Sequence, residues 1–196
     1  MNLEDAYAKY GKEETKNLAY NYPQYNIGRG TYGWLKVREP NDYAALSVGA
    51  FCSFADGVEV FLGGNHRHDW VTTYPFSQCP EGRIAYARGL EITKGNVVIG
   101  NDVWAGANVM ILSGVTIGDG VVVGARSVIA KNLEPYGIYV GNPARLVRKR
   151  FDDSIIEKLL EIKWWDLDDK KIIKLLPFML NTDIQAFINE ATLLKG

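Results

Sequence analysis

The chain has 196 residues, with 22 Lys and Arg against 23 Asp and Glu, a formal net charge of −1. That balance argues against a nucleic-acid partner or an anionic membrane surface. No apolar run approaches the roughly 18 residues of a membrane span, and Met1-Asn2-Leu3-Glu4-Asp5 does not open a signal peptide. Two cysteines make no disulfide framework, so one main domain with a small appendage, in the cytoplasm, is the expectation.

Residues 1–47 are rich in tyrosine and irregular, with turns at Tyr22-Pro23 and Glu39-Pro40; Ile27-Gly28-Arg29-Gly30-Thr31 reads as a lone unit that starts a coil. A rhythm of six then sets in: Val48 goes with Cys52, Phe54 with Val58 and Val60 with Gly64. Cys52 falls on a small inward slot and is expected to be a buried thiol rather than a nucleophile. The rhythm stops at Val60 and resumes at Thr93, which leaves His66 to Ile92 as an excursion of 27 residues. A loop of that length inside a compact domain is functional or disordered. Trp70, Tyr74, Phe76 and Tyr86 make this one too aromatic for disorder. Cys79, before Pro80, has no base near it in sequence.

The clearest pattern runs from Ile99 to Leu133. Every sixth residue is small or aliphatic (Ile99, Ala105, Ile111, Ile117, Val123, Ile129), and four places after each stands a second inward-type residue (Val103, Val109, Val115, Val121, Ser127, Leu133). Between them lie turn formers: Asn101-Asp102, Ala107-Asn108, Ser113-Gly114, Asp119-Gly120, Ala125-Arg126 and Lys131-Asn132. A helix would place apolar residues three and four apart, and a single strand would alternate. A beat of six instead describes a short strand and a corner. Three of them close a triangular coil of about 18 residues, stacked at the sheet spacing of roughly 4.8 Å. Each coil buries its apolar side only against its neighbours, so the expected fold is an all-β solenoid.

Pro143-Ala144-Arg145-Leu146-Val147-Arg148-Lys149-Arg150 is the one dense basic run. From Phe151 the period becomes helical. Asp152-Asp153-Ser154 is a cap-like start, and Ile155, Ile156, Leu159, Leu160 and Ile162 form a stripe. Trp164-Trp165-Asp166-Leu167-Asp168 ends that helix and begins another through Leu176, which Pro177 should stop; a last helix spans Thr182 to Leu194. The expected organisation is an irregular opening with the start of the coil (1–47), the coil with its inserted loop 66–92 (48–147), and a helical tail (148–196) that caps the open coil.

The only two histidines, His66 and His68, stand together at the start of the excursion. An imidazole is the side chain whose ordinary pKa suits proton transfer near neutrality, although two solvated loop histidines would look the same in sequence. Four stretches taken together resemble the hexapeptide-repeat acetyltransferases, and more narrowly the xenobiotic acetyltransferase group with its chloramphenicol and streptogramin acetyltransferases. They are Asn65-His66-Arg67-His68-Asp69-Trp70-Val71-Thr72-Thr73-Tyr74-Pro75-Phe76; Ile99 through Ala107; Gly141-Asn142-Pro143-Ala144; and Arg150-Phe151-Asp152 with Lys163-Trp164-Trp165-Asp166-Leu167.

The resemblance implies a left-handed parallel β-helix with an inserted loop and C-terminal helices, three subunits with parallel axes, and acetyl-CoA in the cleft between neighbours. It implies transfer of acetyl to a hydroxyl of a small acceptor, an antibiotic or a sugar precursor of a polysaccharide. His66 is then the general base, and Asp69 or a carbonyl holds its other nitrogen. By the same resemblance Ala107 and Ala125 meet the pantetheine arm, Ala130 and Lys131 the nucleotide end, and Arg145 and Arg148 the phosphates. Trp104, on an outward slot where a solvated residue is expected, reads as a wall of the subunit cleft, and Trp70, Tyr74 and Phe76 as acceptor contacts. No metal is expected: a zinc hydratase on the same coil would need three protein ligands, commonly histidines, and this chain has two. N-acetylation of an amino-sugar nucleotide and a non-catalytic trimeric scaffold stay open as alternatives.

Overall fold

A computed structural model describes residues 17–38, 43–76 and 91–195. A short helix, Leu18–Asn21 (α1), precedes strands β1 (Asn26–Ile27), β2 (Tyr32–Arg38), β3 (Leu46–Val48) and β4 (Ser53–Phe61). The excursion begins and ends in β5 (Asn65–His66) and β6 (Glu91–Ile92). Seven short strands follow: β7 (Val97–Ile99), β8 (Trp104–Ala105), β9 (Met110–Ile111), β10 (Thr116–Ile117), β11 (Val122–Val123), β12 (Val128–Ile129) and β13 (Gly137–Val140). Then come β14 (Arg145–Lys149) and three helices, α2 (Asp153–Ile162), α3 (Asp169–Met179) and α4 (Ile184–Lys195).

The strands stack in three parallel ladders, with partners eighteen positions apart in the main array. Val98 pairs with Thr116, Trp104 with Val122 and Met110 with Val128. The first block is in register with this array across the excursion: Val48 pairs with Ile99, Phe54 with Ala105 and Val60 with Ile111. Ile27 pairs in turn with Val48, and β2 with β4, so the stacking already begins at Asn26. Strand β4 turns a corner, one end lying on β8 and the other on β9. The phase break seen in the sequence is therefore an insertion and not a new architecture.

Both inward positions of every hexad from Ile99 to Leu133 are buried, and Ser127 is among them. Ser127 keeps its hydroxyl satisfied by accepting the Gly141 N–H at 3.0 Å, as a buried polar group requires. Each buried aliphatic contributes roughly 1.5–3 kcal/mol through removal from water. The corners follow the same beat: positive φ falls on Asp102, Asn108, Gly114, Gly120 and Arg126, the second turn residue of successive pairs. The glycines after the core residues serve another purpose, which is close approach. A Cβ on Gly106 would lie 2.7 Å from the Ala125 amide nitrogen, so glycine lets consecutive corners stack directly. Gly64, expected inward, is instead exposed with φ +77, and buried Leu62 fills the interior where the chain departs. Cys52 is fully buried, its Sγ 3.1 Å from the Gly100 carbonyl, and desolvation pushes its thiol up to about 12.

The tail departs from expectation in two respects. Its contacts with the strands run along one edge of the stack rather than over an end. Arg29 binds Asp169 at 2.6 Å and the Trp165 carbonyl at 3.1 Å, Phe51 meets Trp164 with ring centroids 4.9 Å apart, and Arg150 donates to the Gly120 carbonyl at 2.8 Å. Tyr136 and the buried faces of α2, α3 and α4 form a second apolar core there. The helices thus brace successive layers of one corner, where Phe51 and Tyr136 supply the apolar side chains they pack on.

The second departure is Pro177, which does not stop α3; the helix continues to Met179. Pro177 lies in the final turn on the exposed side, where the ring forfeits a single helical bond and water reaches the carbonyl left behind. Pro177→Ala is expected to raise stability by about 1 kcal/mol through the restored bond, measured as an upward shift in Tm. Among the described residues no helix is long and apolar enough to cross a membrane.

Candidate active site

The excursion leaves the stack at one corner, and its neck is closed there. Strands β5 and β6 pair antiparallel, Asn65 opposite Ile92 and His66 opposite Glu91. The Asn65 side-chain amide and the Lys94 N–H both donate to the Ser113 hydroxyl, at 3.1 and 3.3 Å, and the Gly114 N–H reaches the Gly95 carbonyl at 3.0 Å. His66 is consequently presented from a two-stranded ribbon pinned to the corner Leu112–Gly114, and not from a free loop.

The His66 Nδ1 lies 2.7 Å from the Thr73 carbonyl oxygen. A carbonyl only accepts, so Nδ1 carries the hydrogen and donates it. In the neutral ring that leaves Nε2 with its lone pair, on a side chain that is exposed among the described residues. This is the arrangement a general base needs: one tautomer, one ring orientation and one open nitrogen. Of the two partners anticipated in the sequence, the structure selects a carbonyl. Asp69 is bound instead to Arg67, with Arg67 Nε donating at 2.7 Å. The Arg67 hydrogen bond holds the Asp69 carboxyl down to about 2. The Arg67 guanidinium in turn covers the Trp70 ring, 5.5 Å from its centroid. Nothing in the spacing of Asn65-His66-Arg67-His68-Asp69 signals that the holder lies seven residues on, because a turn through His68 and Asp69 brings a later carbonyl back to the ring. His68 is exposed.

The other sequence-derived residues fall into separate groups. Trp70, Tyr74 and Phe76 are all exposed on the excursion, with the Tyr74 and Phe76 rings meeting edge to face at 4.8 Å. Tyr86 and Cys79 lie outside the described residues. Ala130 and Lys131 are exposed on the corner below Leu112 and Ser113, the same edge of the stack that carries His66. Ala107 and Ala125 stack on the next edge, joined by the Arg126 N–H to the Ala107 carbonyl at 2.8 Å. Trp104 stands on the adjacent ladder between Ser53 and Val122, 54% exposed. The ladder of β4, β9 and β12 separates the two edges, so one chain by itself does not bring His66 to Ala107 and Ala125.

Arg145 and Arg148 lie on β14, which folds back antiparallel on β13 with every residue exposed. Each spends one guanidinium N–H on a neighbouring carbonyl, at 2.9 and 3.0 Å. Arg150 in the same basic run has a different task. It pairs with Asp102 at 3.2 Å and lies over both Tyr136 and Phe151, joining tail to stack.

Comparison with known proteins gives concordant findings. Residues 96–131 match a family described as bacterial transferase hexapeptide (six repeats). A chloramphenicol acetyltransferase of Agrobacterium fabrum is 42% identical over 144 residues, covering 72% of this chain and 69% of that protein. A virginiamycin A acetyltransferase of Staphylococcus aureus is 44% identical over 152 residues, covering 76% of this chain and 69% of that protein. Among solved structures, a galactoside acetyltransferase in complex with coenzyme A aligns with 29% identity and a TM-score of 0.48, over 65% of this chain and 60% of that one.

Proposed function

Because the chain belongs to the hexapeptide-repeat acetyltransferases, the family of the chloramphenicol and virginiamycin A acetyltransferases, we propose that it moves the acetyl group of acetyl-CoA directly onto a hydroxyl of a small antibiotic-like acceptor, with His66 as general base. The observation that carries this reading is the Nδ1–Thr73 hydrogen bond, which leaves Nε2 as the proton acceptor. The acceptor oxygen attacks the thioester carbonyl as Nε2 takes its proton. The tetrahedral intermediate then collapses, and the protonated imidazole returns that proton to the departing CoA sulfur. Backbone N–H groups at the corners are suited to the developing oxyanion, since fixed dipoles need no reorganisation.

The stack is, in this reading, a left-handed parallel β-helix, and the working form is a trimer. Support for assembly comes from the placement of the groups: the imidazole and the Ala107–Ala125 column occupy different edges of one chain. A thioester held along that column meets the imidazole of a neighbouring copy. The CoA contacts at Ala107 and Ala125 on one side, and at Ala130 and Lys131 on the other, then come from two subunits, with Trp104 in the wall between them. Arg145 and Arg148 take phosphate, for which the guanidinium fork is suited. Trp70, Tyr74 and Phe76 offer faces to an aromatic or sugar-like acceptor.

The test is release of CoA thiol from acetyl-CoA, with chloramphenicol, virginiamycin A, a hydroxyl-bearing nucleotide sugar and an amino sugar as separate acceptors. Turnover with either antibiotic is the expected result. Turnover confined to the amino sugar would replace O-transfer by N-transfer, and no turnover together with no acetyl-CoA binding by calorimetry would leave only a scaffold. The double substitution Arg145→Gln, Arg148→Gln is expected to raise KM for acetyl-CoA about tenfold with kcat nearly unchanged, the pattern of lost uniform binding.

A further inference from the structure

The corner Leu112–Gly114 is unlike the others in the main array. Of the residues that open its turns (Asn101, Ala107, Ser113, Asp119, Ala125 and Lys131), Ser113 alone is buried, at 4% exposure. The Ser113 hydroxyl oxygen accepts the Asn65 side-chain amide at 3.1 Å and the Lys94 N–H at 3.3 Å, which uses both of its lone pairs. One atom thus ties the chain as it leaves the stack, directly before His66, to the chain as it returns after β6. The corner is fixed in turn from both sides. Below it, the Leu112 N–H donates to the Ile129 carbonyl at 3.0 Å, on the strand that leads into Ala130 and Lys131. Above it, a Cβ on Gly114 would lie 2.6 Å from the Lys94 carbonyl oxygen, so those layers touch. Strand β5 has two side chains. His66 donates to the Thr73 carbonyl, which fixes the ring within the excursion but not the excursion on the stack. Among the described residues, the Asn65 amide on Ser113 is the hydrogen bond that joins β5 to the stack. The Thr93 hydroxyl, which donates to the Leu62 carbonyl, ties only the returning segment.

We propose that Ser113 is a positioning residue for acetyl transfer, an inference that rests on the reading of His66 as general base: its hydroxyl sets the height of His66 over the edge that carries Ala130 and Lys131. It thereby sets the distance from the imidazole to a thioester in the cleft which that edge lines. A base works only within hydrogen-bond reach of the proton it takes, about 2.6–3.2 Å between heavy atoms. The ribbon by itself is too short to hold that distance. It consists of the pairs Asn65 with Ile92 and His66 with Glu91, and an isolated two-stranded ribbon is at best marginally stable in water. With alanine at position 113, the Asn65 amide and the Lys94 N–H both lose their acceptor. A donor left unmade is costly, so the neck rises from the corner for water to replace the hydroxyl, and His66 rises with it.

The test measures release of CoA thiol from the full-length protein, with whichever acceptor named above the parent turns over fastest. The stoichiometry of acetyl-CoA binding in calorimetry counts the folded sites. Ser113→Ala should lower kcat per folded site about 10–100-fold, the scale of an ångström-sized misplacement. KM for acetyl-CoA should stay within about twofold, because the hydroxyl acts through His66 and not on the cofactor. Asn65→Ala breaks the same bond from outside the core, and should lower kcat about tenfold or more with the same unchanged KM. It decides the matter alone if Ser113→Ala does not fold. The double substitution should be no worse than Ser113→Ala, since changes that break one shared bond are not additive. Ile111→Ala weakens the same coil from its interior without touching the hydroxyl, and should keep kcat per folded site within about twofold. Parent-like kcat in Ser113→Ala or Asn65→Ala, losses that multiply in the double substitution, or an equal fall in Ile111→Ala would each overturn the proposal. The reading of His66 fails separately: parent-like turnover by His66→Ala, or a parent protein that turns over none of the acceptors, withdraws the base itself and the role of Ser113 with it.

Discussion

Replacing His66 with Ala is expected to lower kcat about 10²–10⁴-fold, the usual contribution of a positioned general base, while KM for acetyl-CoA stays within a factor of about two. The separation follows from the structure: His66 is fixed by Thr73 and its own ribbon, and the ribbon's anchors are Asn65 and Lys94 on Ser113 rather than the imidazole. The neighbouring Asp69–Arg67 pair is a separate titration. The folded Asp69 carboxyl is depressed to about 2 from an ordinary 3.8, the Arg67 hydrogen bond being the main cause. Its contribution is therefore complete above about pH 4 and is lost only as pH falls through about 2. Turnover by His66→Ala within tenfold of the parent would remove His66 from the role of base.

Ile111→Ala is expected to destabilise the fold by about 2–5 kcal/mol, the range for deleting a buried aliphatic that leaves a cavity. Ile111 is 1% exposed and sits mid-ladder, paired with Val60 on one side and Ile129 on the other. The stacked strands cannot slide inward to fill the gap, since their spacing is set by the backbone ladder. Urea unfolding at fixed protein concentration measures the effect, the concentration being held because any self-association would contribute to apparent stability. A change below about 1 kcal/mol would mean that the ladder relaxes around the hole and that the stack is looser than its register implies. Met110, the outward neighbour of Ile111 on the same strand, provides the control: Met110→Ala should change stability far less.

Several residues show how far the order of amino acids could be read. The two inward positions of each hexad were legible and are buried without exception from Ile99 to Leu133. The corner pairs were legible too; that positive φ falls on their second members, Arg126 as well as Asp102 and Asn108, is what the structure adds. His66 stood out because imidazoles are scarce in this chain and both sit at the mouth of the excursion. What holds it did not: Asp69 was the nearer candidate and proved to be Arg67's partner, while the Thr73 carbonyl carries no side-chain signature at all. The basic run was visible as a run, yet its members divide. Arg145 and Arg148 face solvent, and Arg150 is spent on Asp102 and the Tyr136 and Phe151 rings. Pro177 was over-read as a stop, because a proline signal does not say which face of the helix it falls on.

The order of residues alone determined the interior. Each layer touches only the layers above and below it, so the demand on a core position repeats every six residues and is written locally. The tertiary structure alone decided which edge each surface group occupies, which nitrogen of His66 the Thr73 carbonyl engages, and that the helices clasp a corner rather than close an end. Those outcomes rest on pairings such as Arg29 with Asp169 and Arg150 with Asp102, between residues far apart along the chain. Such pairings carry no period, and they exist only once the stack has brought their partners together.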